Sequence, residues 1–231
     1  MKYKHILFDL DRTLWDFDTD THDTIKEIFN DCGLDKIIGN FEEWYRVYKT
    51  HNIRLWEDYA LGKIKKTVLR YTRFYLTFKD FGIDDEKLGM DFSDKFIEQS
   101  PNRTTLFPNT HEVLTYLLNK NYQLHVVTNG FNEIQFKKLE ATDIKKYFTK
   151  IFTCENIGYN KPHVKFFQHV ISSLHSSKKD AIIVGDDFVN DILGAKKIGI
   201  DQIYFKPKDA PEPPEKPTFL INSLIELKSI L

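Results

Sequence analysis

The chain has 231 residues, 41% hydrophobic and 29% charged, with 19 Phe and 11 Tyr. That is ample material for a packed core and excludes an intrinsically disordered segment. A formal net charge of −1 provides no global field toward a nucleic-acid polymer or an anionic membrane, so an anionic ligand must be held by local charges or a metal.

In chain order, His5-Ile-Leu-Phe8 is a short apolar run that ends at Asp9 and predicts a buried strand. The apolar run at the N-terminus is too short for a signal peptide, and no stretch approaches the roughly 18–20 apolar residues of a membrane span. The expected location is the cytoplasm. Residues 19 to about 100 then change character. Helical patterns cover Thr24–Cys32 before Gly33, Phe41–His51, Ile64–Phe81 before Gly82, and Lys87–Gln99, with no alternating strand among them. The broad stripe Val68, Tyr71, Phe74, Tyr75 and Phe78 is expected to be helix-on-helix core, with an interface between copies as the alternative; the chain is expected to be a monomer or a homodimer.

Beyond residue 100 the short apolar runs return. Asn109–Asn119 carries Val113, Leu114, Leu117 and Leu118 on one stripe and reads as a helix. Strands are predicted at Tyr122–Thr128, Ile151–Cys154, Ala181–Val184, Gln202–Phe205 and Thr218–Ile221. Between them, Pro162 is expected in the first turn of a helix bearing Val164, Phe166, Phe167 and Val170. Val189–Ile198 predicts another helix, closed by Gly199, and Pro211–Pro217 an extended surface loop. Continuous apolar strands separated by helices indicate an α/β fold, a Rossmann-like parallel sheet with helices on both faces. The expected organisation is a core of residues 1–17 and 101–231 with an inserted all-helical cap domain at 18–100. Cys32 and Cys154 form no CxxC pair and read as small buried hydrophobes.

Polar residues collect where the predicted strands stop, which is where open parallel sheets bind ligands. Asp9 and Asp11 follow the first strand, Thr128, Asn129 and Gly130 the second, Lys161 the loop after the third, and Asp186, Asp187 and Asp191 the fourth. A carboxylate at the end of a buried strand needs a cation, a metal or several donors. Adjacent Asp186 and Asp187 repel, and a bound cation would compensate them; Asp187 alternatively reads as a helix N-cap.

At these residues the sequence resembles the haloacid dehalogenase superfamily in its phosphatase form. Phe8-Asp9-Leu10-Asp11-Arg12-Thr13-Leu14 looks like its first motif and Val127-Thr128-Asn129-Gly130 its second. Asn160-Lys161-Pro162 looks like the third, and Gly185-Asp186-Asp187-Phe188-Val189-Asn190-Asp191 the fourth. The helical insertion is similar to the family's first cap class. The resemblance implies a magnesium-dependent phosphatase acting on a small phosphorylated metabolite, with Asp9 as nucleophile, Asp11 as acid/base and Lys161 neutralising charge. It implies that Thr128, Asn129 and Gly130 hold phosphoryl oxygens. Mg²⁺ would lie against Asp9, Asp186 and the backbone carbonyl of Asp11, with Asp191 orienting the shell or Lys161 and Asp187 as an outer ligand. The cap is expected to open and close between the two half-reactions.

Arg12 departs from a position that is often Gly in the family, and places a positive side chain at the expected site entrance. Trp15-Asp16-Phe17 is similar to the branch containing nucleoside monophosphate phosphatases, of the pyrimidine 5′-nucleotidase kind. Trp15 is therefore a candidate to stack on a base, or a brace between cap and core. Sugar-phosphate phosphatase or phosphomutase activity is the alternative within the fold, and a non-catalytic interaction module the alternative of another class. A dehalogenase would have no need of Asp11 or of Mg²⁺.

Overall fold

A computed structural model of the chain describes residues 2–231. It divides into two compact units, Met1–Phe17 with Thr104–Leu231, and Asp18–Arg103.

The first unit is built on a six-stranded sheet. Its strands are β1 (His5–Phe8), β2 (Gln123–Thr128), β3 (Phe148–Thr153), β4 (Ala181–Gly185), β5 (Asp201–Phe205) and β6 (Phe219–Ile221). All pair in parallel, in the order β3-β2-β1-β4-β5-β6. Alternation along β1 shows why these strands read as unbroken apolar runs. Ile6 and Phe8 enter one core with Leu124, Val126, Ile182, Val184 and Ile203. Leu7 enters the opposite core with Val127, Ile183, Phe166 and Phe167. Both faces are covered, so neither tolerates a polar residue lightly.

The other unit is all helical among the described residues. It comprises α1 (Phe17–Asp31, whose first residue belongs to the sheet unit), α2 (Phe41–Ala60), α3 (Lys66–Asp80) and α4 (Glu86–Gln99). Asn40 caps α2 by accepting from the Glu43 N–H, and Asp85 caps α4 by accepting from Leu88. α2 continues past His51 for more than two turns, because no breaker intervenes before Gly62, whose φ is 71°. The aromatic stripe on α3 lies inside this unit: Phe74 and Phe78 are fully buried against Trp44, Tyr48 and Phe92. Val68, Tyr71 and Tyr75, the rest of the stripe, are half-buried. No helix among the described residues is long and apolar enough to cross a membrane.

The sheet unit's helices include α5 (Thr110–Asn119), α6 (Asn132–Ala141), α7 (Cys154–Ile157) and α8 (Val164–Ser173). Two of them, and the segment after β4, correct the expectations. α8 is capped by His163, which leaves Pro162 before the cap instead of within the first turn. The segment after β4 is not a plain α-helix: Phe188–Leu193 is π-helical and only Gly194–Lys196 is α. α6 has no counterpart in the sequence prediction. Its buried residues are Gln135, Lys138 and Leu139, so the inward face carries no apolar stripe to reveal it.

Candidate active site

β1 ends at Phe8, and the Asp9 N–H donates to the Val184 carbonyl at 2.9 Å, extending the β1–β4 ladder by one residue. Asp9 therefore leaves the sheet with a fixed backbone and a buried side chain. Lys161, 2% exposed, reaches it from the loop between α7 and α8. The Lys161 ammonium donates to Asp9 Oδ1 at 2.6 Å, to Asp191 Oδ1 at 2.6 Å and to the Val127 carbonyl at 2.9 Å. All three N–H bonds are used. The main chain of Lys161 is held by Asn129, whose Oδ1 accepts from the Lys161 N–H and whose Nδ2 donates to the Lys161 carbonyl.

Asp9, Asp186 and Asp191 each present an oxygen, the three lying within 4.8 Å of one another. The Thr13 hydroxyl sits between two of them, 3.3 Å from Asp9 Oδ2 and 3.1 Å from Asp186 Oδ1. Three carboxylates around one ammonium leave surplus negative charge, and all three titrate above the ordinary carboxylate range. For Asp9 and Asp191, burial drives the rise and Lys161 offsets part of it. For Asp186, burial comes first and repulsion from Asp9 and Asp191 adds to it. The donors are hard oxygens converging with excess charge, a set that suits Mg²⁺.

The remaining predicted residues divide. The Thr128 hydroxyl accepts from the Gly130 N–H at 3.0 Å, forming the turn that ends β2. Gly130 lacks a Cβ because one would overlap the Gln135 amide. Asp187 is a helix cap: Oδ1 accepts from the Val189 and Asn190 N–H groups, and Oδ2 from Asn190 Nδ2. Its side chain lies outside the Asp9–Asp186–Asp191 group of oxygens, so any contact with the metal is not a direct part of that group. Asp191 is tied by Lys161 on one oxygen and by the Asp187 N–H on the other. Trp15 is fully buried in the main core, with the Lys138 ammonium 4.5 Å from its ring centroid. No face is left open to a base, which favours the packing alternative over stacking. Arg12 adopts φ 64°, which explains why a glycine suits that position, and its guanidinium lies 4.9 Å from the Phe17 ring centroid.

Asp11 has partners of its own. Its carboxylate does not join the Asp9 cluster. Oδ1 accepts from Lys138 at 2.6 Å and Oδ2 from Gln135 Nε2 at 2.7 Å. Burial pushes Asp11 up, but the Lys138 charge and these two hydrogen bonds outweigh it and hold the group below its usual range. Sequence reading passed over Gln135 and Lys138 because α6 was not recognised. The available signal was their i, i+3 spacing, with Leu139 one residue on, directly after Thr128-Asn129-Gly130.

Comparison with known proteins adds four findings. The profile of the haloacid dehalogenase-like hydrolases matches residues 6–205. The pyrimidine 5′-nucleotidase PynA of Streptococcus pneumoniae is 30% identical over 208 residues, covering 90% of this chain and 85% of its own. The pyrimidine 5′-nucleotidase YjjG of Escherichia coli is 28% identical over 233 residues, covering 100% of this chain and 99% of its own. Among solved structures, the putative HAD-hydrolase YfnB from Bacillus subtilis, bound to magnesium, superposes with a TM-score of 0.90 at 27% identity, covering 100% of this chain and 99% of that one.

Proposed function

The chain belongs to the haloacid dehalogenase-like hydrolase family, and from that premise we propose that it is a magnesium-dependent phosphatase that hydrolyses nucleoside 5′-monophosphates, pyrimidine ones foremost, through an aspartyl-phosphate. One observation carries the mechanism: two carboxylates two residues apart are held by different ammonium groups, Asp9 by Lys161 and Asp11 by Lys138. Separate partners let two neighbouring carboxylates take separate tasks, although without the metal it is Asp11 that is held lower and Asp9 higher.

Asp9 attacks phosphorus, and the bond to the leaving oxygen breaks as Asp11 supplies that oxygen with a proton. In the second half Asp11 takes a proton from water as the water oxygen displaces Asp9 from phosphorus. Lys161 holds Asp9 in line and offsets the charge that accumulates. The turn at Thr128, Asn129 and Gly130 offers the Thr128 hydroxyl and the Asn129 N–H to the phosphoryl oxygens. Asp9, Asp186 and the Asp11 carbonyl would hold Mg²⁺, with Asp191 positioning Lys161 beside them. When bound, the metal supplies charge neutralisation between phosphate and carboxylate.

The substrate class is supported by the two pyrimidine 5′-nucleotidase relatives, which match nearly the whole chain. A panel of nucleoside monophosphates and sugar phosphates, assayed by phosphate release with Mg²⁺ and with excess chelator, tests the reading. Pyrimidine monophosphates are expected to lead, and chelator to abolish turnover. Sugar phosphates preferred by about tenfold, roughly 1.4 kcal/mol, would overturn the substrate; full activity in chelator would overturn the metal.

A further inference from the structure

Lys138 is an unusual lysine. It is 3% exposed, its ammonium makes one ion pair, and that pair is with Asp11 at 2.6 Å. Two aromatic rings flank the same ammonium, Trp15 at 4.5 Å and Phe17 at 4.8 Å to the centroids. Gln135, 1% exposed, holds the other Asp11 oxygen, while its own Oε1 is buried with no partner among the described residues. Neither feature is explained by stability. A buried ion pair about breaks even against an apolar replacement, and an orphaned amide oxygen is a net cost. Both are explained if the orientation of the Asp11 carboxylate is what the arrangement secures.

We propose that Lys138 is a positioning residue for proton transfer by Asp11, with Trp15 and Phe17 fixing the ammonium and Gln135 completing the clamp. The inference rests on the phosphatase reading. In the first half-reaction the Asp9–phosphorus bond forms, the bond from phosphorus to the leaving oxygen breaks, and the proton passes from Asp11 to that oxygen. In the second, water gives its proton back to Asp11 as its oxygen bonds to phosphorus and the Asp9–phosphorus bond breaks. Each Asp11 oxygen already accepts one hydrogen bond, so the clamp dictates where the remaining lone pairs point. A carboxylate free to rotate loses that aim, and the proton transfer slows while attack by Asp9 does not. Gly130 belongs to the same device: only a residue without a Cβ leaves room for Gln135 to reach Asp11.

The discriminating measurement is leaving-group dependence. Single-turnover phosphorylation is followed for the wild type, Lys138→Met and Lys138→Arg with two substrates in Mg²⁺. Uridine 5′-monophosphate departs as an alkoxide that needs a proton, whereas 2,4-dinitrophenyl phosphate departs as a stable phenolate that does not. Lys138→Met is expected to slow the nucleotide roughly 10- to 100-fold and the dinitrophenyl ester by no more than about twofold; Lys138→Arg should recover part of the loss. Equal slowing of both esters, or no change in either, would overturn the proposal. Should Lys138→Met melt early, Gln135→Leu must show the same selective loss. A wild type inactive on both esters would instead sink the phosphatase reading.

Discussion

The two ends of strands β1 and β2 treat buried polar groups in opposite ways. Where the strands finish, Asp9 is buried in an ionic cluster with Lys161, Asp186 and Asp191. Toward their beginnings, His5 and His125 are buried together, joined by a 3.1 Å hydrogen bond between His5 Nδ1 and His125 Nε2. Their outer nitrogens, His5 Nε2 and His125 Nδ1, find no partner among the described residues. One end concentrates charge and compensates it with an ammonium. The other keeps its titratable groups neutral, since burial lowers both histidines, His125 to about 3. Charge at the first end is useful for chemistry; at the second it would only oppose folding.

Substitutions can break this contrast. The greatest effect is expected from Asp9→Asn, which should reduce turnover by about 10⁴-fold or more while the metal-free protein melts no earlier than the wild type, because a repulsive carboxylate has been removed. An early melt would mean that Asp9 is structural. Lys161→Met should do the reverse to stability. It leaves Asp9 and Asp191 buried without their cation and is expected to cost about 3–5 kcal/mol, read by urea denaturation in chelator. A cost below about 1 kcal/mol would show that the cluster is not held by Lys161.

The histidine end should govern acid sensitivity. A lowered folded-state pKa means that the unfolded chain binds more protons between about pH 6.5 and 3, so stability falls as pH drops through that window. The loss reaches up to about 4 kcal/mol for His125. The raised carboxylates push the opposite way in metal-free protein, gaining stability as pH falls. Replacing His5 and His125 together by Leu should flatten the acid loss in denaturation midpoints measured across that range. An unchanged acid limb would place the loss elsewhere. The smallest effect is expected from Arg12→Gly. Relief at φ 64° returns about 1 kcal/mol and loss of the Phe17 contact removes part of it, so stability should rise slightly. A tenfold rise in KM would support the expected place of Arg12 at the substrate, and an unchanged KM would remove it from there.

Much of the fold was legible before any coordinate. The six strands were marked by short apolar runs, because a sheet covered on both faces admits little else. Asp9, Lys161 and Asp186 were found because each directly follows such a run or its loop. α6 was not legible, since the face it buries carries Gln135 and Lys138 and breaks the apolar period on which recognition depends. Asp187 was readable as either cap or ligand, and only the position of the Val189 and Asn190 N–H groups decided it. Trp15 was open between base stacking and packing for a related reason, and its burial separates the two. An aromatic beside a motif looks the same in sequence whether it faces a ligand or the core.

What the sequence determined by itself, then, is the parallel sheet, the helical insertion and the row of polar residues at the strand ends, because these follow from local hydrophobic period and chain order. Only the tertiary structure decided which ammonium serves which carboxylate. Lys161 and Lys138 reach Asp9 and Asp11 across 152 and 127 residues of chain. Pairings at that range are set by the packing of one element on another, to which local sequence pattern is blind.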